Sequence, residues 1–311
     1  MRRLIHVAGA MAIVFAVPFT AFADDHLEVE TAPGAEAEKR TFMVEGGGGL
    51  PIAVTVAGNP EGPAIVFMHS LMGSTMNWEK QYESDLGKTH RLVSLDMRGH
   101  GASAKPVFAG SYTDPRLHAE DIAAAIKASG VEKPTLVAWA YGGLNVMDYV
   151  RHYGTDGVSG IVLVEANGGL EPTPEPIKDA AYRARIARSQ SADLATLRQW
   201  TWEFGDYLMR AGPLPQEEAE IIRTSSMLVP HWVRAAMRDR PTDNSDLVET
   251  LEVPVLFVVT VEEGIGREMI ERIAGKLPDA EIATIPNGGS LSFWYETERF
   301  NEIVADFIAG K

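Results

Sequence analysis

Short apolar runs that alternate with longer amphipathic stretches are the feature that most constrains the fold of this sequence. The runs AIVFM, RLVSL, TLVAW and GIVLV are each followed by residues with helical periodicity. Runs that are apolar throughout are typical of strands buried on both faces, and intervening helices make such strands parallel. The alternation therefore predicts an α/β fold with a mainly parallel central sheet flanked by helices.

A long stretch of different character interrupts this alternation. Residues 172–250 show mostly helical periodicity, whereas VPVLFVVTV then restores the strand pattern. We therefore predict one core domain built from residues 40–171 and 251–311, with residues 172–250 inserted as a helical cap. At the start of the core, TFMVEG and PIAVTVAG are predicted to form a hairpin joined by Gly46–Gly49.

The amino-terminal residues 1–23 have the pattern of a signal peptide. Arg2 and Arg3 precede an apolar run, and Ala21-Phe22-Ala23 matches a small-x-small cleavage site. A membrane anchor is the alternative, but the run is broken at Pro18 and is short against the roughly 20 residues of a membrane span. The pattern predicts export, with the mature chain periplasmic or secreted.

The amino-acid composition restricts the classes of binding partner expected for the mature chain. Residues 24–39 are acidic and poor in large apolar residues, which predicts a solvated linker. The formal net charge of the 311 residues is -15, which disfavours nucleic acid and anionic membranes as partners. The chain has no cysteine, so disulfides and lipid-modified cysteines are excluded. A small-molecule ligand is predicted, and protein partners are left open.

Four short motifs follow predicted strands: HSLMGSTMNW, DMRGHGASAKP, AWAYGG and, near the carboxyl end, IPNGGSLSFW. In order and spacing they resemble the motifs of the α/β-hydrolase fold superfamily, of the AB hydrolase-1 type with a helical cap. The resemblance covers nearly all of residues 40–310 and implies that fold, with a site at the AWAYGG turn. Function still has to be argued from the site residues.

The resemblance places the catalytic triad on residues that cannot perform its chemistry. The nucleophile position falls on Ala140, whose methyl group no base can activate. The base position falls on Ser290, and the acid position on Gly264 or, with a slip of one residue, on Glu263. Losing one triad member lowers the turnover of a serine hydrolase by about 10⁶-fold. We therefore predict a pseudo-hydrolase without catalytic residues; an engineered Ser→Ala change is the competing explanation of Ala140.

Ligand binding does not require the triad, because the donors of an oxyanion hole are backbone N–H groups. By resemblance these donors belong to Leu71 and Tyr141; the alternative is that water satisfies both. The predicted ligand is a small, partly apolar carbonyl or acyl compound held between cap and core. The predicted ligand-binding residues are Ser70, Leu71, Trp139, Ala140, Tyr141 and Ser290.

An active hydrolase with a non-standard site, of esterase or lyase type, is the alternative function. Glu263 would be its general base if burial raised its pKa, or Ser70 would be its nucleophile. A structural or protein-interaction role is a third possibility. No metal or cofactor is predicted, since the eight histidines form no HxxxH pair and no glycine-rich phosphate loop opens a helix.

Overall fold

A β-sheet forms the centre of the protein. The computed structural model describes residues 37–172, 180–261 and 266–310. The predicted signal peptide, residues 24–36 of the predicted linker, Glu263 and Gly264 lie outside these ranges. The strands are β1 Ala37–Glu45, β2 Pro51–Gly58, β3 Ala64–Met68, β4 Arg91–Leu95, β5 Thr135–Trp139, β6 Gly160–Val164, β7 Val255–Thr260 and β8 Ala280–Ile285.

The sheet is mainly parallel, as the alternation of strands and helices predicted. Its strands lie in the order β1-β2-β4-β3-β5-β6-β7-β8. β1 pairs with β2 and β2 with β4 in antiparallel fashion. The pairs β4–β3, β3–β5, β5–β6, β6–β7 and β7–β8 are parallel. The carboxyl ends of the parallel strands therefore meet at one edge of the sheet, which is the edge where open α/β sheets bind ligands.

Helices lie between and after the strands. They are α1 Glu79–Glu83, α2 Leu86–Thr89, α3 Gly110–Thr113, α4 Pro115–Ser129, α5 Gly142–Tyr153, α6 Ala180–Ser189, α7 Leu194–Leu208, α8 Gln216–Met227, α9 His231–Arg238, α10 Arg267–Ala274, α11 Ser292–Tyr295 and α12 Thr297–Ala309. The bounds of α4 follow from its sequence. Asp114 accepts the N–H of Arg116 at 2.9 Å, Pro115 occupies the first turn, and Gly130 ends the helix with a left-handed φ of 69°.

Two apolar clusters lie on opposite faces of the sheet because strand side chains alternate. Leu136 and Leu163 belong to one cluster together with Val146 of α5. Val137 and Val162 belong to the other, together with Phe300 of α12 and Trp78. The parallel strands are thus covered on both faces, as their continuous apolar runs predicted.

The helices α6–α9, called here the helical insertion, lie in sequence between β6 and β7. The hydroxyl of Ser226 in α8 donates to the carbonyl of Met72 at 3.0 Å. The indole N–H of Trp232 in α9 donates to the carbonyl of Pro106 at 3.2 Å. The insertion is therefore anchored on the loops that follow β3 and β4. None of the described helices is long and apolar enough to cross a membrane.

Candidate functional site

A strained turn, called here the elbow, connects β5 to α5 within the AWAYGG motif. Ala140 has a left-handed φ of 45°, which is uncommon for a residue other than glycine. A Cβ atom on Gly142 would lie 2.7 Å from the carbonyl oxygen of His69, and one on Gly143 would lie 3.1 Å from Cβ of Ala166. The chain approaches its neighbours so closely that glycine is required at position 142 and that position 143 has little room for a side chain. The elbow is therefore built although its central side chain is a methyl group.

Ser70 lies against the amide that follows Ala140. The N–H of Tyr141 donates to Oγ of Ser70 at 3.4 Å, a long and therefore weak hydrogen bond. Ser70 and Tyr141 are half-buried, whereas Leu71 is buried. The structure thus brings Ser70, Ala140 and Tyr141 together, and a ligand oxygen at the Tyr141 amide has to displace or share the Ser70 hydroxyl.

Two buried histidines lie beside Ser70, with ring centroids 5.2 Å apart. Nε2 of His69 accepts the N–H of Met97 at 2.9 Å, and its Nδ1 lies 2.8 Å from the carbonyl oxygen of Ser70. Nε2 of His100 lies 3.4 Å from the N–H of Met72, and its Nδ1 lies 3.0 Å from the carbonyl oxygen of Arg98. Each ring is therefore neutral, with a proton on Nδ1. Burial lowers the pKa of His69 and lowers that of His100 well below its ordinary value.

The loop after β4 is held by its charged side chains. Asp96 accepts the N–H groups of Thr75 and Ala102, both at 2.7 Å. Arg98 forms a buried ion pair with Asp121 of α4 at 2.8 Å. Backbone N–H groups bind the carboxylate of Asp96, and Asp121 binds the guanidinium of Arg98. These charged side chains therefore have a structural role in the loop.

Glu165 is a buried carboxylate at this edge that the sequence reasoning missed. It follows the last residue of β6 with a left-handed φ of 47°, and only 6% of it is exposed. One carboxylate oxygen accepts the N–H of Thr260 at 2.6 Å. Burial raises the pKa of Glu165 to about 7, although the side-chain and backbone hydrogen bonds from Thr260 and the charge of Arg210 act in the opposite direction. The sequence signal that could have identified Glu165 is an ionisable residue directly after β6, the strand that neighbours the elbow strand β5.

The remaining predicted site residues are Ser290 and Trp139, whereas Glu263 and Gly264 lie outside the described residues. Ser290 is half-buried in a 3₁₀ turn, Gly289–Leu291, that follows β8. Trp139 is buried in the apolar cluster under the turn, where its ring centroid lies 5.1 Å from that of Phe293. The ring of Trp139 thus supports the elbow from below.

A cavity of about 610 Å³ lies between α7 and α8 of the helical insertion. Its lining includes Asp206, Arg210, Leu214, Ala219 and Arg223, and none of the predicted ligand-binding residues. Within the described ranges, no three histidine or acidic side chains are grouped in a way that would hold a metal ion.

Comparisons with known proteins agree with this geometry. A family model described as the alpha/beta hydrolase fold matches residues 63–297. The crystal structure of a putative aryl esterase from Burkholderia cenocepacia is 30% identical, covers 87% of this chain and 98% of its own, and superposes with a TM-score of 0.76. An esterase, RhEst1, from Rhodococcus sp. is 28% identical, with coverage of 86% and 98% and a TM-score of 0.76.

Two further relatives are either less similar to this chain in sequence than the Burkholderia cenocepacia protein or longer than this chain. The bifunctional esterase/perhydrolase DCH of Acinetobacter calcoaceticus is 27% identical over 213 residues, which are 65% of this chain and 74% of that protein. Protein ABHD8 of Bos taurus is 30% identical over 249 residues, or 78% of this chain, but the match spans only 55% of ABHD8. The sheet and the strained elbow define an α/β protein with a hydrolase-type site. The chain belongs to the alpha/beta hydrolase fold family.

Proposed function

We propose that this protein is a pseudo-hydrolase that binds a small, partly apolar carbonyl or acyl compound at the elbow and does not cleave it. The observation that carries the proposal is Ala140, a methyl group held at the strained centre of a fully formed elbow. A left-handed alanine costs free energy that a relaxed turn would avoid. Retention of the strained turn without a nucleophile favours a role in binding.

The groups around Ala140 support the absence of a nucleophile–base pair. The ring nitrogens of His69 face a backbone N–H and a carbonyl oxygen, so the ring has no nitrogen left to activate Ser70. The base position is Ser290, whose hydroxyl does not act as a base near neutral pH. What remains is the N–H of Tyr141, a donor suited to a carbonyl oxygen, and the half-buried hydroxyl of Ser70.

An active esterase is the second candidate. Its support is the similarity to the putative aryl esterase of Burkholderia cenocepacia over 87% of this chain. In that case Glu263 or Ser70 supplies the chemistry, or Ala140 is a Ser→Ala substitution in a serine hydrolase. We further propose that the chain is exported by residues 1–23, so that binding takes place in the periplasm or outside the cell.

Steady-state hydrolysis of short and medium acyl esters tests the proposal. The chain from Asp24 onward is compared with the heat-denatured chain, and with the variants Glu263→Gln and Ser70→Ala. We expect rates equal to those of the denatured control in every case. A turnover of roughly 1 s⁻¹ or more, in the ordinary range of enzymes, would overturn the pseudo-hydrolase proposal. The variant that abolishes such a turnover would then identify the reacting group.

A further inference from the structure

The cavity between α7 and α8 of the helical insertion has a charged wall and an apolar wall. Its volume of about 610 Å³ lies within the range of small-molecule sites, which is about 300–1,000 Å³. The charged side chains that line it are Asp206, Arg210 and Arg223, and apolar lining comes from Met209, Leu214 and Ala219. Since none of these residues belongs to the predicted elbow site, the cavity is a candidate binding site of its own.

Arg223 of α8 presents to this cavity a guanidinium that is only partly engaged. Its Nη2 donates to Oδ1 of Asp206 at 2.5 Å, and its guanidinium carbon lies 5.9 Å from the ring centroid of Trp202. Its Nε is buried and has no hydrogen-bond partner among the described residues. A guanidinium has five N–H donors in a planar fork that fits a carboxylate. The bond to Asp206 therefore leaves Arg223 able to bind a second carboxylate.

Arg210, which follows α7, adds a second positive charge to the same wall. Its guanidinium carbon lies 4.0 Å from the ring centroid of Tyr207, and its Nη1 donates to the carbonyl of Tyr207 at 2.6 Å. These contacts position the guanidinium and do not remove its charge. Glu165, on which the charge of Arg210 also acts, is not a lining residue. Among the lining residues, two guanidinium groups face the one carboxylate of Asp206, so the charged wall is positive.

We propose that this cavity binds a small organic monocarboxylate, whose carboxylate pairs with Arg223 and whose apolar tail lies along Met209, Leu214 and Ala219. The positive wall favours an anion, whereas an ammonium group would meet like charges there. The apolar wall favours a hydrocarbon tail, which inorganic phosphate lacks. This site is separate from the elbow, and the inference does not depend on what the elbow binds.

Asp206 competes with such a ligand for Arg223, and this competition distinguishes ligand binding from a structural ion pair. Asp206→Asn removes the competing charge, so the affinity for a carboxylate should rise. Arg223→Met removes the guanidinium and keeps an apolar side chain, so the affinity should fall. The side chain of Asp206 is 63% exposed, and loss of an exposed ion pair changes stability little. Opposite shifts from the two partners of one ion pair are expected only if the ligand binds to that pair.

Isothermal titration of the chain from Asp24 onward with hexanoate, at about pH 7 and low ionic strength, tests the inference. Hexylamine and 1-hexanol present the same tail with a positive or neutral head, and inorganic phosphate is an anion without a tail. We expect hexanoate to bind at least about tenfold more tightly than any of these, since a hydrogen bond to a charged group has that order of effect. Arg223→Met should weaken hexanoate binding by about tenfold, and Asp206→Asn should tighten it by about threefold.

Two further variants show where hexanoate binds. Ala219→Phe fills the cavity and should abolish binding, whereas Ala140→Leu alters the elbow and should leave the affinity unchanged. If the wild type does not bind hexanoate or binds 1-hexanol equally well, or if Arg223→Met binds like the wild type, the cavity proposal is overturned and the proposed function stands.

If Ala140→Leu abolishes binding and Ala219→Phe does not, hexanoate binds at the elbow; the cavity proposal is then overturned and the proposed function is supported. Ala219 is buried, so Ala219→Phe is also checked for folding by its tryptophan fluorescence. Should it fail to fold, the shifts of Arg223→Met and Asp206→Asn decide: opposite shifts support the cavity site, and any other result overturns it.

Discussion

The guanidinium of Arg240 and the carboxylate of Asp148 form an ion pair inside the protein, with 0% and 3% of their side chains exposed. Arg240 closely follows α9 of the helical insertion, and Asp148 lies on α5, the helix that begins at the elbow. Arg240 also donates to Oδ1 of Asn145 at 2.8 Å. The phenol of Tyr141 adds a second link, since its O–H donates to the carbonyl of Met237 in α9. The helical insertion is thus fastened to the elbow helix itself.

Breaking this pair should destabilise the protein strongly. Arg240→Met leaves the carboxylate of Asp148 buried without its cation, which costs about 3–5 kcal/mol in comparable cases. Urea unfolding, followed by tryptophan fluorescence, measures the loss in the free energy of unfolding. The matched control is Arg299→Met, since Arg299 pairs with Glu302 on the surface at 56% and 65% exposure. That variant should lose at most about 1 kcal/mol.

The double variant Arg240→Met with Asp148→Leu removes both charges and should recover part of the loss. If the double variant is as unstable as the sum of its single changes, the two charges are not coupled and the link described above is wrong.

The elbow should tolerate no side chain at position 142. In Gly142→Ala the added Cβ would lie 2.7 and 2.8 Å from the carbonyl oxygens of His69 and Met68, which are backbone atoms that cannot move aside cheaply. We expect a loss of about 1–3 kcal/mol in the free energy of unfolding. Gly212→Ala is the matched control, because a Cβ there meets nothing within 4 Å. Equal stability of the two variants would contradict the close approach at the elbow.

Local patterns were sufficient to predict the fold and the elbow. Buried parallel strands have apolar runs such as GIVLV, and the small residues around Ala140 reflect a steric need that acts within a few residues. Arg240 and Asp148 are 92 residues apart, and no periodicity links them, so their pairing could not be predicted. Glu165 was missed because a single acidic residue after a strand is commonly solvated; its burial depends on Thr260 in β7, which packs beside it only in the folded sheet.

Glu165 should also make stability depend on pH. Its pKa is raised in the folded state, to about 7, so the folded protein binds this proton more tightly than the unfolded chain. The stabilising contribution of the proton is complete below the ordinary pKa of glutamate, near 4.3, and is lost as pH rises through about 7. Its full size is on the order of 3 kcal/mol.

Urea unfolding of the wild type and Glu165→Gln at about pH 5 and about pH 8 checks this dependence. Other titrating groups are common to both proteins and cancel in the difference. We compare the free energy of unfolding of the wild type with that of Glu165→Gln at each pH. The wild-type value minus the variant value should be lower at about pH 8 than at about pH 5. If this difference in the free energy of unfolding were the same at both pH values, Glu165 would have the same pKa in the folded and the unfolded protein. Burial would then not raise its pKa.

Restoring the nucleophile alone should not restore hydrolysis. In Ala140→Ser the hydroxyl would stand at the elbow, but the base position is Ser290 and both nitrogens of His69 face backbone groups. We expect ester turnover to stay far below roughly 1 s⁻¹, with Ala140→Gly as the matched variant that also lacks a nucleophile. The double variant Ala140→Ser with Ser290→His tests whether an imidazole is the missing part, and any gain should appear only there. If Ala140→Ser alone hydrolysed esters at a rate in the ordinary enzyme range, the missing serine would be the sole defect of the site. A base such as Glu165 or Glu263 would then already be in place for a serine hydrolase.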